Sequence, residues 1–279
     1  MTPDWLAIER RDAPLILSIP HAGLELRDCE ARFVSPWLAR RDADWHLPAL
    51  YDFADDLGAT VVQTSISRSI IDVNRNPDGL SLYPGQATTE LCPTTTFDGE
   101  PLYREGEAPG EAEIAERRAR YYAPYHEALR IEIARLRAKH ARVALYDAHS
   151  IRSIIPRLFE GELPIFNLGT NSGRSCSASL RDRLTETLAA SGRSFMVDGR
   201  FKGGWITRSF GAPDTGVEAV QLELACRAYM IDPSQPWPDT WPGPIDALAA
   251  EPTRATLRAL LENLLDWVQR AALTSEKPQ

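Results

Sequence analysis

The chain is poor in the residue types that announce several common architectures. Its four cysteines, Cys29, Cys92, Cys176 and Cys226, are widely spaced and form no CxxC pair. That excludes zinc-ribbon and thioredoxin-like arrangements and leaves reduced, buried thiols as the expectation. No apolar run approaches the roughly 20 residues of a membrane helix. The start, MTPDWLAIERRD, has no basic segment followed by an apolar one, so no secretory signal is expected and the cytoplasm is the default compartment. Lys and Arg number 31 against 39 Asp and Glu, a net charge of −8. Clustered positive charge for a phosphate backbone is therefore missing, and nucleic acid is not an expected partner. Oligomeric state is not readable from the sequence.

What remains is an ordinary globular composition, 43% hydrophobic and 25% charged over 279 residues. No repeat and no break in composition divides it, so one α/β domain over 1–279 is expected. Leu15 to Ile19 (LILSI) reads as a buried strand ending at Pro20-His21-Ala22-Gly23. Residues 47–57 read as a helix stopped by Gly58, and Ala59 to Thr64 as the next strand. Residues 76–110, rich in Pro, Gly and Thr, read as a long excursion, with 79–101 (Tyr83, Gln86, Thr95) either a lid or a structural loop. A charged helix follows from Glu111 to His140, kinked or divided at Pro124. Further strands are expected at Val143 to Tyr146, Leu163 to Leu168, Phe195 to Asp198 and Val217 to Leu224, with helices at 177–190 and Pro252 to Leu273. Strands alternating with helices imply a mixed, mostly parallel sheet flanked by helices.

Ligands in such folds sit at the carboxyl ends of strands. His21, His149 and the segment Ser67 to Asn76 all fall at such ends. For a single histidine a satisfied or surface role is the default, but two neutral imidazoles, a carboxylate and an open position form the usual catalytic zinc site. His126 and His140 lie in the charged helix at positions expected to be solvated. His46 follows Asp42 and Asp44, a string that suits either a metal or a helix N-terminus.

Seven segments in order, Ser18 to Gly23, Arg41 to His46, Ser67 to Arg75, Leu82 to Gln86 with Leu91 to Pro93, Asp147 to Ser150, Asn167 to Thr170 and Gln221 to Glu223, resemble the N-formylglutamate amidohydrolases. The resemblance runs from about residue 10 to about residue 270. It implies a zinc-carboxypeptidase-like fold, related also to aspartoacylase, which carries a segment similar to Asp72 to Arg75. It implies a site for Zn²⁺ or another divalent ion, with His21 and His149 as ligands. The third ligand is Asp44 or Glu25, and Asp44 is preferred because Glu25 lies in a loop, HAGLELRD, without fixed geometry. Metal-activated water would attack the formyl carbon of N-formyl-L-glutamate, the last step of a histidine-degradation route.

Glu223, an acid in an otherwise apolar strand, is then the general base and acid, with Glu218 a weaker candidate. Arg68 is placed at the developing oxyanion, Asn74 and Arg75 at one carboxylate of the dianionic substrate, and Arg208 within reach of the other. Asp72 is expected to orient Arg75 or a neighbour. Competing readings are a deacylase of another N-acyl acidic amino acid, such as N-formylaspartate or a longer N-acylglutamate, and a catalytically silent acidic-amino-acid binder. The second is disfavoured because binding alone needs neither Glu223 nor two metal histidines.

Overall fold

Three strands whose nine or fewer residues are all buried, β2 (Leu15–Ile19), β4 (Val143–Ile151) and β7 (Val217–Ala225), form the centre of the fold. In the computed structural model, which describes residues 2–82 and 84–275 except the side chains of 271–275, they belong to a seven-stranded mixed sheet. Its other members are β1 (Leu6–Glu9), β3 (Thr60–Thr64), β5 (Phe166–Gly169) and β6 (Phe195–Val197), in the order β1-β3-β2-β4-β7-β5-β6. Pairings within β3-β2-β4-β7 and between β5 and β6 are parallel; β1 and β5 run antiparallel to β3 and β7. Strands buried on both faces need helices on both faces, and the helices are α1 (Pro36–Arg41), α2 (Leu47–Leu50), α3 (Glu111–Arg117), α4 (Ala123–Arg137), α5 (Ala178–Ala190), α6 (Trp205–Phe210) and α7 (Ala247–Ser275). Helices α2, α5 and α7 cover one face, through Leu50, Leu184 and Leu261. Helices α1, α4 and α6 cover the other, through Leu38, Leu129 and Ile206. Among the described residues no helix is long and apolar enough to cross a membrane.

Side-chain alternation places the site. Val143 and Leu145 of β4, with Val217 and Ala219 of β7, pack into the α4 face. The next residues on that face are Asp147 and His149, registered against Gln221 and Glu223. Each strand therefore starts in the core and ends in a polar cluster on the same face.

Several local expectations are corrected. β4 continues through His149 to Ile151, so the Asp147 to Ser150 cluster lies within the strand. The helix expected over 47–57 breaks at Tyr51 into α2 and a 3-10 turn, Asp52–Asp55. The helix from Glu111 contains a wide π turn, Arg118–Tyr122, after which α4 restarts at Ala123 with Pro124 in its first turn, where the missing N–H is tolerated. β1 had no signal in the sequence reading. The 76–110 segment is only partly an excursion, since Leu91, Cys92, Phe97, Leu102 and Tyr103 are buried; Tyr83 lies outside the described residues.

His126 is not solvated. It is 6% exposed, stacks on Tyr122 and Phe210, and its Nε2 donates to the Val73 carbonyl at 2.7 Å, joining α4 to the Asp72 to Arg75 turn. Burial lowers its pKa from 6.5 to about 4. Between those values the unfolded chain takes up a proton that the fold refuses, so stability falls with pH from about 6.5 down to about 4. The loss amounts to about 2–3 kcal/mol. Urea unfolding at pH 7 and pH 4.5 should show this loss reduced by about that amount in His126→Gln; equal pH dependence in both proteins would contradict the assignment.

Candidate active site

His21 follows β2, and the Asp44 backbone N–H donates to the His21 carbonyl at 3.0 Å, which brings the turn after α1 against the strand end. His149 reaches the same point from β4. Among the described residues His21, Asp44 and His149 form a buried group whose nearest ligand atoms lie within 4.8 Å of one another. The two Nδ1 atoms are 3.1 Å apart, and Asp44 Oδ2 is 3.2 Å from His149 Nδ1 and 3.9 Å from His21 Nδ1. Behind the rings, His21 Nε2 donates to Asp72 Oδ1 at 2.7 Å and His149 Nε2 donates to Asp147 Oδ2 at 2.9 Å. A carboxylate can only accept, so these bonds fix the Nε2–H tautomers and aim both Nδ1 lone pairs at Asp44.

This donor set fits a divalent cation. Two imidazole nitrogens and a carboxylate oxygen converge, and Asp44 Oδ1 is buried without a hydrogen bond among the described residues, with Arg68 Nη1 3.7 Å away. Electrostatics point the same way. Burial and the Arg68 charge lower the pKa of His21. Burial would also lower that of His149, but Asp147 and Asp44 outweigh it and raise the value well above the usual one.

Asp72, fully buried, is the hub of the site. Its Oδ1 accepts from His21 and from the Asn74 backbone, and its Oδ2 accepts from Arg68 Nη2 at 2.7 Å, with Arg75 Nη1 at 3.5 Å. Burial would raise its pKa, yet Arg75, His21 and Arg68 together hold it well below the ordinary carboxylate range. Arg68 also lies over the Phe97 ring at 4.7 Å.

These groups open into a cavity of about 170 Å³, whose wall includes His21, Arg68, Arg75, His149, Arg200 and Glu223. Glu223 comes from β7 opposite His149, and Gln221 Nε2 donates to its Oε2 at 3.3 Å. Burial raises its pKa to about 7, with His149 opposing and Asp44 adding to the shift. Gln221 in turn accepts from the Gly204 N–H at 2.6 Å. Gly204 must be glycine, because a Cβ there would sit 2.4 Å from the Asn74 amide. A buried base beside a cluster that could hold a cation, sharing a small cavity with an arginine, has the parts to activate water and stabilise an oxyanion.

Residues 13–230 match the sequence profile of N-formylglutamate amidohydrolases. A relative named N-formylglutamate deformylase from Pseudomonas aeruginosa is 47% identical over 94% of this chain and 96% of its own length. The chain belongs to the N-formylglutamate amidohydrolase family. A Pseudomonas putida protein of the same name matches equally well, at 47% identity over 94% of the chain and 96% of its length. A crystal structure of an N-formylglutamate amidohydrolase from Ralstonia eutropha JMP134 shares the fold, with a TM-score of 0.79 and 23% identity over 96% of this chain and 99% of that one. The chain is thus a hydrolase of this family.

Within this amidohydrolase, the structure brings Asp44 and not Glu25 to the histidines. Glu25 is exposed and paired with Arg27 at 2.8 Å. Asp42 ends α1 and accepts from the Phe97 N–H, so it does not cap a helix N-terminus; Asp44 accepts from the Ser150 N–H. His46 is set apart, facing the Gly243 carbonyl, and partly exposed His140 faces the Asp12 carbonyl. Glu218 is paired with Arg142 and receives the Ser177 N–H at the start of α5. Asn74 lines the cavity, but its amide is engaged with Asp147 Oδ2 and the Ile206 N–H. Arg208 donates to the carbonyls of Gly203 and Leu82 and is not among the residues lining the cavity. Three residues that the sequence reading gave no role are Asp147, Gln221 and Arg200. The first two were signalled by polar residues at alternate positions in apolar strands; Arg200 had no signal.

Proposed function

We propose that this chain hydrolyses N-formyl-L-glutamate to formate and L-glutamate. The observation that carries the reading is that Glu223 lines one small cavity together with Arg68, Arg75 and the two histidines, His21 and His149, that converge with Asp44. The 47% identity to proteins named N-formylglutamate deformylase supports the substrate.

The chemistry needs a water nucleophile, a place for the oxyanion, a proton for the leaving nitrogen and recognition of two carboxylates. His21, Asp44 and His149 would hold Zn²⁺ or another divalent ion, which when bound acts as a Lewis acid and makes water more acidic. Asp72 and Asp147 keep the two imidazoles in the ligating tautomer. Glu223 removes a proton from the attacking water, carries it on its carboxyl group and returns it to the amide nitrogen as the C–N bond breaks. A base whose pKa is raised to about 7 can both take and release that proton near neutral pH. Arg68, fixed by Asp72 and the Phe97 ring, donates to the developing oxyanion. Arg75 binds a substrate carboxylate. Placement in the cytoplasm, at the end of a histidine-degradation route, belongs to the same proposal.

The cavity, about 170 Å³, is small beside sites for drug-sized ligands, which run to roughly 300–1,000 Å³, so a compact substrate is expected. Formate release should therefore be fastest from N-formyl-L-glutamate in a comparison of kcat/KM with N-formyl-L-aspartate, and N-acetyl-L-glutamate should be cleaved more slowly. A higher kcat/KM for either of the other two would assign the enzyme to that substrate.

A further inference from the structure

A turn at residues 96–99 lies between two cavities. It is closed by the Gly99 N–H, which donates to the Thr96 carbonyl at 3.0 Å, and Gly99 takes a φ of +91°, where glycine is favoured. The two residues at its tip serve different cavities. Phe97 lines the cavity of the candidate active site, where the Arg68 guanidinium lies over its ring at 4.7 Å. Asp98 lines a second cavity, beside Trp37, Arg41 and Arg152.

Charge holds this tip. Arg41 and Arg152 are 4% and 3% exposed, and guanidinium groups buried to that degree need carboxylates against them. Arg152 Nη2 donates to Asp98 Oδ2 at 2.5 Å, and Arg41 Nη2 lies 2.7 Å from the same oxygen, as an ion pair rather than an aligned hydrogen bond. Asp42 accepts the Phe97 N–H at 2.7 Å, so two adjacent residues of the tip are gripped. The anchors come from segments that build the site: Arg41 and Asp42 precede Asp44, and Arg152 lies just past the end of β4, three residues after His149. Desolvation offsets much of the attraction in such a cluster, so its effect is expected in position more than in stability. Arg157 Nη1 also donates to the Thr96 and Phe97 carbonyls at 3.4 Å, so loss of the Asp98 charge should loosen the tip without unfolding it.

We propose that Asp98 is a positioning residue: seated on Arg41 and Arg152, it keeps the Phe97 ring against Arg68 and so aims that guanidinium at the developing oxyanion. This rests on the proposed reaction. Arg68 has two supports, Asp72 Oδ2 at 2.7 Å and the Phe97 ring. With the tip loosened it keeps the ion pair and loses the contact that fixes its plane. Because the oxyanion forms only during the reaction, the loss falls on kcat, with KM little changed.

The test uses Asp98→Asn, which keeps the shape and removes the charge, and Asp98→Glu, which restores the charge. In the full-length protein supplied with Zn²⁺, Asp98→Asn should lower kcat for formate release by about 10-fold, and Asp98→Glu should recover part of the loss. In an Arg68→Lys background, Asp98→Asn should cost nothing further, because both changes act through one guanidinium. Nuclear magnetic resonance reads the position directly. The Arg68 Nε–H signal, assigned by its absence in Arg68→Lys, carries the ring-current shift of Phe97 and should move in Asp98→Asn. A kcat loss that adds in full to that of Arg68→Lys, a loss confined to KM, or an unmoved Arg68 signal would overturn the proposal. The resonance also separates the two claims: a protein that releases no formate but whose Arg68 signal moves keeps this assignment and loses the proposed reaction.

Discussion

Replacing Glu223 by glutamine is expected to lower kcat for formate release by about 10²- to 10⁴-fold, the usual contribution of a general acid–base group, while L-glutamate binding is retained. Glutamine has nearly the same shape and can still meet Gln221 Nε2 through its amide oxygen, so packing at the end of β7 is preserved. What is lost is the ability to take a proton from water and to deliver it to nitrogen. The raised pKa of this carboxyl has burial as its main cause, which marks a group that accepts a proton more readily than an exposed glutamate would. A variant with nearly unchanged kcat would remove Glu223 from the proton path and leave it as a wall residue.

The second large effect concerns the histidine and aspartate cluster. His149→Ala removes one of two imidazoles whose Nδ1 atoms stand 3.1 Å apart, together with the group that holds Asp147 Oδ2. Bound divalent metal, measured by elemental analysis after gel filtration, should fall from near stoichiometric to near zero, and formate release should fall below detection. Because the substitution also leaves Asp147 and Asp44 in a dry environment without their histidine, Asp44→Asn is the companion variant. It keeps the shape and the acceptor for the Ser150 N–H but weakens the ligand set. Full metal content in both variants would place any ion elsewhere in the protein.

The sheet and the strand ends that gather the candidate site were legible because buried strands and charged residues obey simple rules. LILSI could only be a buried strand, and polar residues at its end needed a reason to be there. The same logic stopped β4 too early. Asp147 and His149 looked like the end of the strand, but they satisfy each other and face the cavity, so the strand could continue through them. The choice between Asp44 and Glu25 depended on a tertiary contact, the Asp44 N–H on the His21 carbonyl, which no local pattern encodes. His126 was misplaced despite an available signal: Tyr122, Tyr125, His126, Leu129, Ile133 and Leu136 follow helical spacing and form one buried face. Arg200 lies in the irregular stretch after β6, and Arg208 in the short helix α6 that follows it. Only the path of the chain shows that Arg200 lines the cavity while Arg208 supports Gly203 and Leu82.

A single experiment bears most directly on the account: formate release from N-formyl-L-glutamate by the purified protein, before and after metal is stripped by a chelator, with metal content measured alongside. The account predicts that activity disappears as metal is lost and returns when Zn²⁺ or another divalent ion is restored. Undiminished formate release from protein verified to be free of metal would contradict it.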